Sequence, residues 1–264
     1  MITILSDFGY EDTYVAVMKG VVASIAAQAP TCDLTHTVAP QSILAARFHL
    51  MVAYPYFPAG TVHLAVVDPG VGSDRRAIAL QCQNGFLVGP DNGLFSGVLQ
   101  KETVIAAIAL TNPDYWRVPK PSRTFHGRDI FAPAAAHLAR GVSIFELGDR
   151  IDPTTLVTPA LLPLTYFADG CKGSVQHIDT FGNLITNIPE QVVQGKAWRA
   201  RVQPFTDPPI LGVQTYSDVA DQALSALVGS HGWLEIACNR GSAAERLSVD
   251  VGAEVEVSTF AESR

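Results

Sequence analysis

Charge is scarce in this sequence. Only 16% of its 264 residues are Asp, Glu, Lys or Arg, while 48% are hydrophobic. A chain with that balance can bury a sizeable core, which argues against intrinsic disorder. Basic runs are missing and the formal net charge is −7. That argues against nucleic acid or an anionic membrane as partner. No apolar stretch reaches about 18 residues, so no segment is expected to span a bilayer. No basic segment leads into an apolar one at the start, so no secretory leader is expected. Cysteine is limited to Cys32, Cys82, Cys171 and Cys238, far apart and without a C-x-x-C pair. Free, buried thiols in the cytoplasm are the expectation.

Several catalytic signatures are also absent. There is no G-x-x-x-x-G-K-[ST] phosphate loop, and no G-x-G-x-x-G follows the first apolar run. There is no G-x-S-x-G elbow to present a nucleophilic serine. No His/Cys spacing suits zinc, and the carboxylates lie on separate strands without a calcium loop. No metal site and no cofactor are expected.

What is present is an alternation. Ile2–Leu5 reads as a strand, 13–29 as a helix with Asp12 as N-cap and Pro30 beyond its end, and 42–54 as a second helix. Residues 62–67, 76–81 and 86–88 read as strands, and 129–139 as a helix ended by Gly141. Such alternation predicts an α/β layered domain around a central sheet. Residues 151–170 hold three prolines and no periodicity. Beyond them come "GSVQHID", "NLITNI", "WRARVQ", "ILGVQTY", "GWLEIAC" and "EVEVSTF", separated by turn residues. We therefore expect an N-terminal α/β domain at 1–157, a linker at 158–168 and a C-terminal all-β, barrel-like domain at 169–264.

Four predicted strands end in Asp with Gly close behind: "SDFG", "VDPG", "PDNG" and "IDTFG", giving Asp7, Asp68, Asp91 and Asp179. One such end is ordinary turn chemistry, the carboxylate bonding local N–H groups. Four suggest a common site, because ligands of open α/β sheets bind beyond the carboxyl ends of the strands. "VVDPGVGSDRRAI" is the densest stretch. Arg75 and Arg76 should face opposite sides of the next strand, one returning to Asp68 across the loop and the other solvated. An Asp–Arg pair there serves equally as a loop clip. In "TFHGRDIFAP", His126 and Gly127 precede a helix N-terminus, where a ligand approaches easily.

Six segments in this order carry a resemblance: "SDFG" with Asp12, "VDPGVGSDRR", "GPDNG", "TFHGRDIFAP", "IDTFGNLITN" and "SHGWLEIACNRGSAA". They resemble the S-adenosyl-L-methionine hydroxide adenosyltransferases, relatives of the fluorinating and chlorinating S-adenosylmethionine enzymes. The resemblance spans nearly the whole chain. It implies hydrolysis of S-adenosylmethionine to adenosine and L-methionine, and a homotrimer with each site between the first domain of one subunit and the second domain of its neighbour. It implies Asp68, Arg75 and His126 as the catalytic set. Fluorinating members carry Tyr and Ser at the positions of His126 and Gly127, and Tyr at that of Asp68. By the same resemblance Asp7 meets the ribose hydroxyls, Asp12 lies near the methionine end, and Asp179 holds the methionine ammonium. Phe181 packs on the adenine, Asn183 hydrogen-bonds it, Ser230 meets the methionine carboxylate, and the backbone near Arg240 meets the adenine edge. His231 follows Ser230 where related sequences vary.

Two other functions stay open at this stage. A non-catalytic trimer that binds adenosine or S-adenosylmethionine needs Asp7, Phe181 and Asn183, but not Asp68, Arg75 and His126. A metal-dependent nucleoside hydrolase would draw on the N-terminal Asp cluster and release adenine.

Overall fold

The computed structural model describes residues 1–159, 163–204 and 207–260. Contacts divide the chain into two units, Met1–Pro159 and Ala160–Arg264. The first holds strands β1 (Ile2–Ser6), β2 (Thr31–Thr35), β3 (Thr61–Val66), β4 (Ala77–Cys82), β5 (Gly85–Pro90), β6 (Val104–Ala109) and β7 (Asp149–Arg150). Its helices are α1 (Tyr14–Ile25), α2 (Ile43–Ala53), α3 (Ser96–Leu99) and α4 (Ala132–Ala139). The strands form one mixed sheet in the order β2-β1-β3-β5-β4-β6-β7, with β2, β1, β3 and β5 parallel.

Every residue of β1 and β3 is buried, as expected for strands covered on both faces. Alternate side chains go to opposite layers. Ile2, Ile4, Val62 and Leu64 share a core with Met18 of α1 and Ala135 of α4. Leu5, Ala65 and Leu87 share another with Ala46 and Leu50 of α2. The order β2-β1-β3 means that the chain leaves β1 to one side and returns to the other. The carboxyl ends of β1 and β3 therefore flank a topological switch point, where open α/β sheets leave a crevice.

The second unit holds β8 (Thr165–Phe167), β9 (Gly170–Ile178), β10 (Leu184–Pro189), β11 (Ala197–Val202), β12 (Ile210–Leu211), β13 (Leu224–Val228), β14 (Trp233–Cys238) and β15 (Glu254–Phe260), with one short helix, α5 (Ala243–Leu247). The strand path is β12-β11-β15-β9-β10-β14-β13. A bridge between Gly212 and Ala226 joins its two ends, so the sheet is nearly closed around a core that includes Val175, Leu184, Ala200, Ile236 and Val257. The expected α/β unit followed by a barrel-like β unit is what the chain forms.

Element ends differ from expectation in specific places. Helix α1 starts later and stops sooner, at Tyr14–Ile25, with Thr13 rather than Asp12 at the N-cap and no side-chain cap bond. The stretch expected as a strand at 210–216 narrows to β12. A Cβ on Gly212 would lie 2.4 Å from the Trp198 ring, and a capping box between Thr215 and Asp218 turns the chain into a 3-10 turn. β8 lies within the expected linker 158–168, of which 160–162 fall outside the described residues. β2, α3, β6, β7, β13 and α5 have no counterpart among the elements expected from the sequence.

Candidate active site

Asp68 follows β3 by two residues and begins a pair of tight turns, Val71 N–H to Asp68 O (3.2 Å) and Ser73 N–H to Gly70 O (3.1 Å). Gly72 adopts φ +78, and a Cβ there would lie 2.4 Å from the Arg123 carbonyl oxygen, so only glycine fits. The turns bring Arg75 back beneath Asp68. Arg75 Nε donates to Asp68 Oδ1 at 2.9 Å and Oδ2 at 3.1 Å, and its Nη2 closes a shorter contact to Oδ2. Nη2 also donates to His126 Nδ1 at 2.8 Å. The guanidinium carbon lies 5.2 Å from the Phe131 ring centroid, a cation–π contact that backs the fork from behind. Only 7% of the Asp68 side chain and 10% of Arg75 is exposed.

This geometry settles the imidazole tautomer. A guanidinium only donates, so His126 Nδ1 accepts and the ring proton sits on Nε2. Burial and the Arg75 charge push the His126 pKa below its ordinary value, against the opposing pull of Asp68. His126 thus accepts at Nδ1 and offers an N–H at Nε2, while Asp68 accepts from Arg75. His126 immediately precedes a single π turn, Gly127–Phe131, that runs into α4. A Cβ on Gly127 would lie 2.9 Å from Met18 Sδ and 3.2 Å from the Phe125 ring.

A cleft of about 440 Å³ opens at the switch point, lined among others by Asp7, Asp68, His126, Phe8, Tyr14 and Phe125. Asp7 Oδ2 accepts the Gln41 N–H at 2.8 Å. Phe8, Tyr14 and Phe125 form an aromatic wall with centroids 5.1–5.7 Å apart. Sequence reasoning missed this wall, although Phe8 and Tyr14 stand within and just beyond the "SDFG" stretch. It also missed Gln41, which carries no chemical signature.

Two expectations about the strand ends, those for Asp91 and Arg76, need correction. Asp91 does not line this cleft. It accepts from Arg76 Nε (2.8 Å) and from Val157 N–H (2.9 Å), a structural clip. Arg76 is therefore not solvated, since its Nη1 also donates to Thr155 Oγ1 at 2.8 Å. Asp12 lies exposed in the loop before α1 and is not among the cleft-lining residues.

The remaining expected residues lie in the second unit. Asp179 ends β9 and accepts from Phe181 N–H (2.9 Å), Asn183 N–H (2.9 Å) and Asn183 Nδ2 (3.0 Å). The loop it caps holds Phe181 outward, 77% exposed, while Asn183 is buried. Gly182 packs on Ser242, and its carbonyl accepts the Ala244 N–H at 3.0 Å. Asp179, Phe181 and Asn183 thus adjoin the segment after Arg240, whose carbonyl accepts from Gln222 Nε2 at 2.6 Å. Ser230 is exposed on the turn between β13 and β14. Among the described residues, no group of three or more His, Cys, Asp or Glu side chains is arranged to hold a metal ion.

The family model described as SAM hydroxide adenosyltransferase N-terminal domain matches residues 2–148, and that described as its C-terminal domain matches residues 173–256. The chain belongs to the SAM hydroxide adenosyltransferase family. A relative from Thermus thermophilus named (R)-S-adenosyl-L-methionine hydrolase is 42% identical over 265 residues, covering 96% of this chain and 97% of that protein. A Fluorinase from Nocardia brasiliensis is 27% identical over 293 residues, covering 97% and 96%. The crystal structure of an uncharacterized conserved protein from Thermotoga maritima matches with a TM-score of 0.90 at 35% identity, covering 98% of this chain and 100% of that one. Both SAM hydroxide adenosyltransferase domains thus fall in the order and positions of the two units.

Proposed function

We propose that this protein is a hydrolase that converts S-adenosyl-L-methionine to adenosine and L-methionine, with water displacing methionine at the ribose C5′. The observation that carries the reading is that Asp68 and His126, both bonded to Arg75, line the cleft at the switch point of a SAM hydroxide adenosyltransferase chain. The substrate is a sulfonium, so methionine leaves as a neutral thioether and needs no acid. The task is to hold a water in line with the C5′–S bond, opposite sulfur. Forming free hydroxide first would cost about 12 kcal/mol at pH 7, given a water pKa of about 15.7. Attack by intact water, with proton loss as the oxonium forms, avoids that cost.

Asp68 is the proton acceptor in this scheme. His126 Nδ1 is already occupied by Arg75, so its Nε2–H serves as a donor that orients the water oxygen. Arg75 pairs with the Asp68 carboxylate and fixes both partners. The Asp7 oxygen not bonded to Gln41 takes the ribose hydroxyls. Asp179 takes the methionine ammonium, Phe181 packs on adenine and Asn183 meets its edge, with the backbone near Arg240. Ser230 takes the methionine carboxylate. Asp12, exposed ahead of α1, contacts the methionine end only if the loop turns inward. These groups come from two units, and we infer a homotrimer in which the cleft of one chain is completed by the second unit of a neighbour. No helix among the described residues is long and apolar enough to cross a membrane, and all four cysteines are free. Both facts support a cytoplasmic enzyme.

The test is product analysis. Incubation with S-adenosylmethionine in EDTA should yield adenosine and methionine, and in ¹⁸O water the label should enter the adenosine 5′ oxygen. Release of adenine, or no turnover, would overturn the reading.

A further inference from the structure

The barrel-like unit buries a carboxylate that this chemistry does not use. Glu235, in the middle of β14, is 3% exposed. One oxygen accepts the Tyr216 hydroxyl at 2.5 Å, and the other lies 3.3 Å from His231 Nε2. His231 Nδ1 takes the Trp233 N–H at 3.2 Å, so the ring proton is on Nε2 and points at Glu235. The two partners are thus a phenol and an imidazole that needs no charge to donate. Burying a carboxylate held by two such donors is costly.

Each partner of Glu235 leads to one end of the proposed amino-acid pocket. Tyr216 is raised in pKa by burial, by its bond to Glu235 and by the negative charge of Asp179. Across the sheet Glu235 pairs with Ile185, which pairs with His177, two residues before Asp179. His231 follows Ser230 on the β13–β14 turn. At that turn a Cβ on Gly229 would lie 2.3 Å from His231 Cε1 and 2.5 Å from Glu235 Oε2, so the turn is moulded onto the pair.

We propose that Glu235, through Tyr216 and His231, positions the amino-acid-recognising edge and makes it select a ligand bearing an α-ammonium group. Its charge adds to that of Asp179 at the ammonium, while His231 holds the Ser230 turn in register. The inference rests on the reading that Asp179 and Ser230 receive the methionine head. His231 is then a positioning residue turned inward, not a substrate contact.

The test compares S-adenosylmethionine with its analogue lacking the α-amino group. For Glu235→Gln, KM for S-adenosylmethionine should rise about fivefold or more with kcat within about twofold, while KM for the desamino analogue changes by less than about twofold. Tyr216→Phe should move the same ratio in the same direction, and it keeps the test decisive if Glu235→Gln does not fold. Equal losses on both substrates, a loss in kcat alone, or no change would overturn the proposal. Asp179→Asn separates the two levels. If it leaves both KM values unchanged, the underlying placement of the ammonium fails. If it raises KM for S-adenosylmethionine while Glu235→Gln and Tyr216→Phe do not, only the present inference fails.

Discussion

Arg75 donates to both Asp68 and His126, and that shared donor divides their roles. Asp68 keeps lone pairs for a proton, whereas His126 has its acceptor nitrogen occupied. Asp68→Asn should therefore keep S-adenosylmethionine affinity while kcat falls at least about tenfold, the low side of general-base effects. Affinity by calorimetry and turnover by chromatography check it, and a variant at the wild-type rate would remove Asp68 from the mechanism. The same geometry sets a pH dependence. Protonating His126 would put a second N–H against the Arg75 guanidinium, so the proposed scheme needs the neutral ring. Burial and Arg75 hold its pKa down, so the acid limb of kcat/KM, which reports the free enzyme, should lie below the ordinary imidazole value of about 6.5. A limb at or above that value would contradict the assignment. At this scale the sequence named three side chains that the fold brings into one hydrogen-bonded set, but their tautomer and division of labour depend on distances that no motif encodes.

Two elements carry predictions of their own. The π turn at Gly127–Phe131 sets the cleft wall, and Gly127 faces Met18 Sδ across 2.9 Å of would-be Cβ contact. Gly127→Ala should cost about 1–3 kcal/mol by overpacking, measurable by urea unfolding, and an unchanged midpoint would show that Met18 yields freely. Strand β3 holds His63, 2% exposed, with Nδ1 2.8 Å from Thr3 Oγ1. Burial pushes its pKa down to about 4. The folded state therefore resists a proton that the unfolded chain accepts near pH 6.5. The contribution is complete above about pH 6.5 and is lost as pH falls toward 4, on the order of 3 kcal/mol in all. His63→Asn, which does not titrate, should flatten the fall in stability between pH 7 and pH 4.5, and an unchanged slope would place the acid sensitivity elsewhere. The core strands β1 and β3 were legible because parallel strands read as mainly apolar runs, here interrupted by the mutually bonded Thr3 and His63. The stretch at 210–216 misled because its apolar residues hide a capping box.

For the whole molecule, the inferred trimer makes a distinctive prediction. At S-adenosylmethionine concentrations well below KM, Asp68→Asn and Asp179→Asn chains should each turn over slowly alone. Mixed after unfolding and refolding, they should regain about a quarter of wild-type activity, because a head-to-tail ring pairs one intact cleft with a neighbour's intact second unit. A mixture as inactive as its parts, or a fully active monomer by light scattering, would exclude composite sites. The order of apolar runs and turn residues in the sequence sufficed to determine an α/β unit followed by a barrel-like unit. Its six ordered segments likewise determined the family, since both properties are local or linear along the chain. Only the tertiary structure decided that Asp68 and Asp7 share a cleft while Asp91 clips Arg76 to the 155–157 segment. All three look alike as Asp at a strand end, and they diverge because β1 and β3 flank the switch point whereas the end of β5 lies beside Arg76. Only the structure also turned His231 inward onto Glu235, because a side chain's direction on a tight turn follows from what packs beneath it.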